Sequence, residues 1–80
     1  MKYKLLPQKM SMSQADIYCL DNAKWRLPTA NEAEAVVDEQ DVAYWISNKI
    51  QGMFLLYDPM DNVYIRTHPA MLHHTVVVKA

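Results

Sequence analysis

The stretch WRLPTANE at residues 25–32 decides the fold. Because the residue before a proline favours extended backbone, the chain is predicted to be non-helical up to Pro28. Thr29 and Glu32 then form the T-x-x-E pattern of a capping box, which predicts that a helix begins directly after Thr29. That helix is expected to bury one stripe of small apolar residues: Ala30, Ala33, Val36 and Val37.

A strand and another helix are predicted before this stretch. Residues 2–6 alternate loosely between polar and apolar and are stopped by Pro7, which indicates a short strand. Two overlapping capping boxes follow, Ser11 with Gln14 and Ser13 with Asp16, so the first helix is expected to begin there and to end at Asp21-Asn22. Its buried face is expected to carry four residues at helical spacing: Met12, Ala15, Tyr18 and Cys19.

The second half of the chain has the pattern of strands. Strands are predicted at residues 43–47, 53–57, 63–67 and 75–79, with a turn over residues 48–52. The resulting order is β-α-α-β-β-β-β. Helices that precede strands in this way indicate an α+β domain, with two helices packed on a small antiparallel sheet. The 80 residues are expected to form a single domain, residues 1–80.

Composition excludes several classes of protein. Gly52 is the only glycine, which excludes a glycine-rich phosphate loop and a dinucleotide-binding fingerprint. No apolar run approaches the length of a membrane span, and the N-terminus lacks the apolar stretch of a signal peptide. Cys19 is the only cysteine, so no disulfide can form within the chain. These features together predict a cytoplasmic protein, since small secreted domains usually depend on disulfides.

Three segments carry a resemblance to a known family. They are the helix pattern M-x-x-A-x-x-Y-C at residues 12–19, W-R-L-P-T-x-x-E at residues 25–32, and Y-W-x-S at residues 44–47. Together they resemble a C-type-lectin-like domain of the kind found at the C-terminus of bacterial and phage collagen-like adhesins. That kind is also related to the formylglycine-generating, sulfatase-modifying enzymes. The resemblance implies that the first and last strands pair, and it gives structural roles to Cys19, Trp25, Arg26, Leu27, Pro28, Thr29, Glu32, Tyr44 and Trp45.

The sequence departs from that family where the family binds its ligands. The long loop that carries calcium and sugar contacts in the family is reduced here to residues 47–52. The Glu-Pro-Asn, Gln-Pro-Asp and Trp-Asn-Asp motifs are absent, so carbohydrate binding is not expected. The formylglycine-generating relatives need a pair of cysteines, and this chain has only Cys19. The chain therefore resembles the core of the fold without its usual site.

No catalytic set, metal site or cofactor is predicted. His73 and His74 are adjacent, so on a strand they point to opposite faces, and no cysteine or carboxylate pair completes a metal site with them or with His68. Residues 58–62 are similar to a calcium loop but lack its glycine and its bidentate glutamate, which favours a plain turn. Cys19 on the inner face of a helix is expected to be an inert thiol.

A partner-binding surface is predicted on a face of the sheet that combines basic and aromatic side chains. The candidate residues are Lys2, Lys4, Tyr57, Tyr64, Arg66 and Lys79. Such a face is typical of proteins that bind single-stranded RNA, but lysines that protect a solvated sheet edge are the simpler explanation, and a protein partner is a further alternative. The chain has a net charge of −1, whereas proteins that neutralise nucleic-acid phosphates are usually strongly basic.

The preferred functional hypothesis is a small non-enzymatic module for protein interaction. A chain of this kind resembles phage or mobile-element accessory proteins, which bind and inhibit or modulate a host protein such as an enzyme or a toxin. The alternatives are an RNA-binding protein and a virion structural or receptor-binding fragment. A homodimer is also expected, because a core of this size supplies limited stability and the chain is rich in large apolar residues.

Overall fold

The computed structural model describes residues 2–36, 42–50 and 52–80, and it confirms the α+β class. Both helices precede the four strands of the second half, as expected, and a further strand of two residues lies between the helices. The elements in chain order are β1 (Tyr3–Leu5), α1 (Met12–Asp21), β2 (Trp25–Arg26), α2 (Ala30–Ala35), β3 (Tyr44–Ile50), β4 (Met53–Asp58), β5 (Val63–Thr67) and β6 (Val76–Lys79).

The strands form two antiparallel sheets of three strands each, where the sequence suggested a single sheet. The first sheet has the order β1-β6-β2 and the second has the order β3-β4-β5. The predicted pairing of the first and last strands is confirmed, with Tyr3 opposite Val78 and Leu5 opposite Val76. Strand β2 pairs with the other edge of β6, which places Trp25 opposite Lys79. The last strand is therefore the centre of its sheet.

Strand β3 connects the two sheets. The backbone N–H of Trp45 donates to the carbonyl of His74 (3.2 Å), and that of Ser47 donates to the carbonyl of Pro28 (2.8 Å). The strand continues to Ile50, so the turn expected over residues 48–52 is shorter than predicted. Gly52 lies in that turn with φ 77°, a left-handed conformation that glycine adopts without steric cost.

The second sheet lies between two groups of buried apolar side chains. On one face, Met12 and Ala15 of α1 pack with Leu27 against Trp45 and Leu56. The opposite face packs against α2 and the first sheet, and its cluster consists of Ala33, Val36, Tyr44, Ile46, Leu55, Tyr57, Val76 and Val78. Because both faces are covered, β4 is a nearly continuous apolar strand.

The capping boxes of Ser11 with Gln14 and of Thr29 with Glu32 are confirmed, whereas Ser13 lies within α1 and does not cap it. In α1, the Ser11 hydroxyl accepts from the Gln14 N–H (3.3 Å), and the Gln14 side chain accepts from the Ser11 N–H (2.9 Å). Thr29 and Glu32 make the same reciprocal pair at α2, at 3.3 and 3.0 Å. Helix α1 ends at Asn22, whose side-chain amide donates to the Tyr18 carbonyl (2.9 Å). Val37, predicted for the buried stripe of α2, lies outside the described residues.

Candidate binding surface

Lys4 lies over two aromatic rings on one face of the first sheet. Its ammonium nitrogen is 4.5 Å from the ring centroid of Trp25 and 5.8 Å from that of Tyr18. Both distances lie within the range in which a cation is attracted to the ring quadrupole. Trp25 comes from β2 and Tyr18 from α1, so the three side chains meet only in the folded protein. The contact fixes a positive charge beside a half-buried indole.

Two further lysines lie on the same face of the first sheet. Lys79 is directly opposite Trp25, and the N–H of Lys79 donates to the carbonyl of Lys2 (2.9 Å). Residues directly opposite each other in an antiparallel pair share a face, as do residues two apart on one strand. Lys2, Lys4 and Lys79 therefore share one face of the first sheet, as the sequence predicted, and Trp25 lies on the same face.

A shallow groove lies beside this basic group, and we call it the Trp25 groove. It encloses about 650 Å³ and is lined by Asp16, Cys19, Leu20, Ala23, Trp25 and Arg26. Leu20 is 80% exposed and Ile17, three residues earlier on α1, is 57% exposed. Ile17 and Leu20 thus expose apolar side chains on the outer side of α1, which lowers the solubility of a free monomer. Because Leu20 lines the groove, the groove is a candidate contact surface.

The predicted surface does not extend to Tyr57, Tyr64 and Arg66. These three residues lie in the second sheet, on β4 and β5, whereas the lysines lie in the first. The expected single face is wrong in this respect, because the division of the strands into two sheets separates its halves. Tyr57 is 5% exposed and donates from its hydroxyl to the Asn62 side chain (2.8 Å), so it belongs to the core.

The residues of the W-R-L-P-T-x-x-E motif hold the loop between β2 and α2. Arg26 donates two hydrogen bonds to the two carboxylate oxygens of Glu32, each 2.5 Å long. These bonds and the capping contact with Thr29 lower the pKa of Glu32 to about 2. The bond to Glu32 also raises the pKa of Arg26. Leu27 and Pro28 are buried behind this pair.

The two tryptophans differ in burial. Trp45 is fully buried and its indole N–H donates to the Met10 carbonyl (2.7 Å), so this ring belongs to the core. Trp25 is only half-buried. Tyr44 is also fully buried, and its hydroxyl donates to the Ala33 carbonyl (3.1 Å), which connects β3 to α2.

The histidines and the cysteine form no reactive cluster in the part of the chain that the structure describes. Within it, no group of three or more potential ligands is placed to hold a metal ion. His73 instead lies against Trp45 and is 2.7 Å from the Thr67 hydroxyl, and burial lowers its pKa. Cys19 packs on the cluster around Trp45, and burial raises the pKa of its thiol. A raised pKa makes the thiolate scarcer, so the thiol is a poor nucleophile.

Sequence reasoning missed Tyr18 as a cation-binding ring and Leu20 as a surface residue. The signal for Leu20 was present, since Ile17 and Leu20 are apolar at i, i+3 and lie outside the predicted buried stripe of α1. Tyr18 was assigned to that stripe and is in fact half-buried. Its contact with Lys4 depends on how α1 packs beside β1, which local sequence does not encode.

Comparison of the chain with protein-family models, with curated proteins and with solved structures finds no match. The lectin-like resemblance therefore stays a prediction that rests on the three sequence segments. None of the helices in the described ranges has the length and apolar character needed to cross a membrane.

Proposed function

We propose that this protein is a small non-enzymatic interaction module that binds a protein partner through the Trp25 groove. The observation that carries the proposal is the exposure of Leu20, which is 80% open to solvent and lines the groove together with Trp25. Apolar surface that remains exposed beside a polar rim is typical of protein interaction sites. Tryptophan is also among the residues that contribute most to binding energy when a partner buries them.

The chemistry of the surface defines the partner. An apolar side chain of the partner would enter the groove between Leu20 and Trp25, and acidic groups beside it would face Lys2, Lys4 and Lys79. The contact of Lys4 with the Trp25 ring holds both side chains in place before binding, which lowers the conformational entropy lost on association. The matching surface is an apolar patch or segment flanked by aspartate or glutamate.

This mode of action fits a phage or mobile-element accessory protein that acts in the cytoplasm of a host cell. Such a protein needs only to cover a functional surface of a host enzyme or toxin, and it performs no chemistry itself. The lectin-like sequence pattern without its ligand loop supports this hypothesis, since a compact core then remains for binding through another surface.

RNA binding is the second candidate, and one observation favours it. Lys2, Lys4 and Lys79 share a face of the first sheet with Trp25, and basic residues around an exposed aromatic ring can bind a phosphate backbone and a stacked base. The Trp25 ring is already in contact with Lys4 and is half-buried, which leaves less of it for stacking. We therefore rank RNA below a protein partner.

The test is affinity capture from host cells with identification of both bound protein and bound RNA. Wild-type protein is compared with Leu20→Asp, which places a charge in the groove, and with Met60→Asp, a matched change at a site that is 68% exposed in the β4–β5 turn. We expect one host protein to bind wild type and Met60→Asp but not Leu20→Asp. That binding should weaken only in part at high salt, because salt screens the ionic contacts with the lysines but not the burial of apolar surface.

Two results would contradict the proposal. RNA that is captured by wild type, released by salt and lost in a Lys2→Glu, Lys4→Glu double variant would favour the second candidate. A host protein that binds Leu20→Asp as tightly as wild type would show that the Trp25 groove is not the binding surface. Direct titration of the purified partner with each variant then gives the loss of affinity.

A further inference from the structure

Strand β5 is an edge strand with a free side. It pairs with β4 on one side, and none of the described residues pairs with its other side. Val63, Tyr64, Ile65 and Arg66 are all exposed, with Ile65 39% and Val63 44% exposed. A free edge presents a row of unpaired backbone N–H and C=O groups, which another strand can bind.

The other free edges are shorter or are already in contact with backbone. Strand β1 has three residues and carries Lys4 with Lys2 directly before it, charges that discourage pairing of sheet edges. Strand β3 uses backbone groups of Trp45 and Ser47 to bind residues 74 and 28. Strand β5 has five residues and no lysine. Of the edges that the structure describes, it is the one best suited to extend its sheet.

We propose that β5 pairs with β5 of a second copy of this chain, antiparallel and around a two-fold axis at Ile65. The β3-β4-β5 sheet of each copy then becomes half of a continuous six-stranded sheet. The sequence of β5 selects this register. Centred on Ile65, all five residues find partners: Ile65 faces Ile65, Tyr64 faces Arg66, and Val63 faces Thr67. Centred on Arg66, two like charges would be directly opposite, which is destabilising.

The charges around β5 are complementary in this register. The Tyr64 hydroxyl donates to a carboxylate oxygen of Glu34 on α2 (2.7 Å), and this bond raises the pKa of Tyr64 to about 12. Glu34 is thereby placed on the face of the sheet that Tyr64 shares with Arg66. Arg66 has no ion pair among the described residues. In the dimer, Arg66 of the second copy is opposite Tyr64 and next to Glu34, and the two-fold axis repeats this pair.

The proposal does not rest on partner binding at the Trp25 groove, which is lined mainly by residues of α1 and β2. Sedimentation velocity over a dilution series tests it. We expect wild type to associate reversibly to a dimer. Ile65→Lys places two lysines opposite each other on the axis, and Arg66→Glu or Glu34→Arg places like charges together. Each change should weaken self-association about tenfold or more.

Complementation identifies the geometry. A mixture of Arg66→Glu and Glu34→Arg chains restores both opposite-charge pairs in a heterodimer, so the mixture should associate more tightly than either variant alone. The double variant should also form a homodimer. Leu20→Asp changes an exposed residue of α1, outside β5, and should dimerise like wild type. Circular dichroism and the urea midpoint establish that each variant is folded.

Three results would overturn the proposal. The first is a wild-type protein that remains monomeric at every concentration of the series. The second is a folded Ile65→Lys variant that dimerises as tightly as wild type. The third is a mixture of the two charge variants in which no heterodimer forms, since that would show that Glu34 and Arg66 do not meet across an interface.

Discussion

Arg26 and Glu32 are joined by two hydrogen bonds, so two side chains of one sequence motif close the loop between β2 and α2. Glu32 also accepts from the Thr29 N–H at the start of α2 (3.0 Å). One carboxylate therefore caps the helix and binds the guanidinium. The pairing of planar groups is specific to arginine, because the guanidinium presents two parallel donors that lysine lacks.

The Arg26–Glu32 pair should give stability that is lost in acid. The pKa of Glu32 is about 2 in the folded protein, below its ordinary value of 4.5. A lowered pKa means that the ionised form favours folding, so this contribution is complete above about pH 5 and declines as the pH falls towards 2. Glu32→Gln should destabilise by about 1 kcal/mol at neutral pH, because the pair is partly exposed to solvent.

Urea denaturation of wild type and Glu32→Gln between pH 2 and 7 measures this effect. The difference in the free energy of unfolding should shrink as the pH falls. Asp61→Asn removes an exposed carboxylate in the β4–β5 turn and serves as the matched control, with little change expected. A difference between wild type and Glu32→Gln that is constant with pH would contradict the assignment.

Trp45 should contribute more to stability than Trp25. Trp45→Phe leaves a cavity in the core and removes the donor that binds the Met10 carbonyl, so we expect a loss of about 2–3 kcal/mol. Trp25→Phe changes a half-buried side chain and should cost less than about 1.5 kcal/mol. The unfolding free energies of the two variants test the order, and equal losses would refute it.

The folded protein should be most stable when His73 is neutral. Burial against Trp45 lowers its pKa below 6.5, and the positive charges of Lys9 and His74 act in the same direction. A histidine with a lowered pKa favours folding when neutral, so its contribution is present above pH 6.5 and is lost as the pH falls below that value. Titration of the ring by NMR should give a midpoint below 6.5.

The loss of stability that wild type shows as the pH falls below 6.5 should be smaller in His73→Gln. Glutamine keeps a polar group near Thr67 but does not titrate. His68→Gln changes an exposed histidine and is the matched control. If the His73 ring instead titrates above 6.5, or if His68→Gln alters the pH dependence as much as His73→Gln does, the burial argument is wrong.

Substitution of Asn62 should lower stability through both its backbone conformation and its side-chain hydrogen bond. It has φ 53°, and its side-chain oxygen accepts from the Tyr57 hydroxyl (2.8 Å). Asn62→Asp keeps an acceptor and tolerates the left-handed conformation, whereas Asn62→Gly keeps only the conformation. Asn62→Ala loses both and should be the least stable, by about 1–2 kcal/mol relative to wild type. Thermal unfolding gives the order, and an alanine variant more stable than the glycine variant would contradict it.

The candidate site was predictable where it depended on strand pairing. Lys2 and Lys4 were expected to meet Lys79, and they do, because alternation along a strand and the pairing of β1 with β6 fix which side chains share a face. The separation of Tyr64 and Arg66 from that surface was not predictable. Local sequence gives the alternation within each strand but not which strands hydrogen-bond to each other.

The sequence by itself determined where both helices begin and where the strands other than β2 lie, because capping boxes, apolar periodicity and proline act within a few residues. WRLPTANE is the clearest case, since its extended backbone, its helix start and its capping carboxylate all follow from local chemistry. The tertiary structure alone decided that the strands form two sheets, that Lys4 lies over Trp25 and that Glu34 binds Tyr64. These contacts join residues far apart in the chain, and they depend on packing that no local pattern specifies.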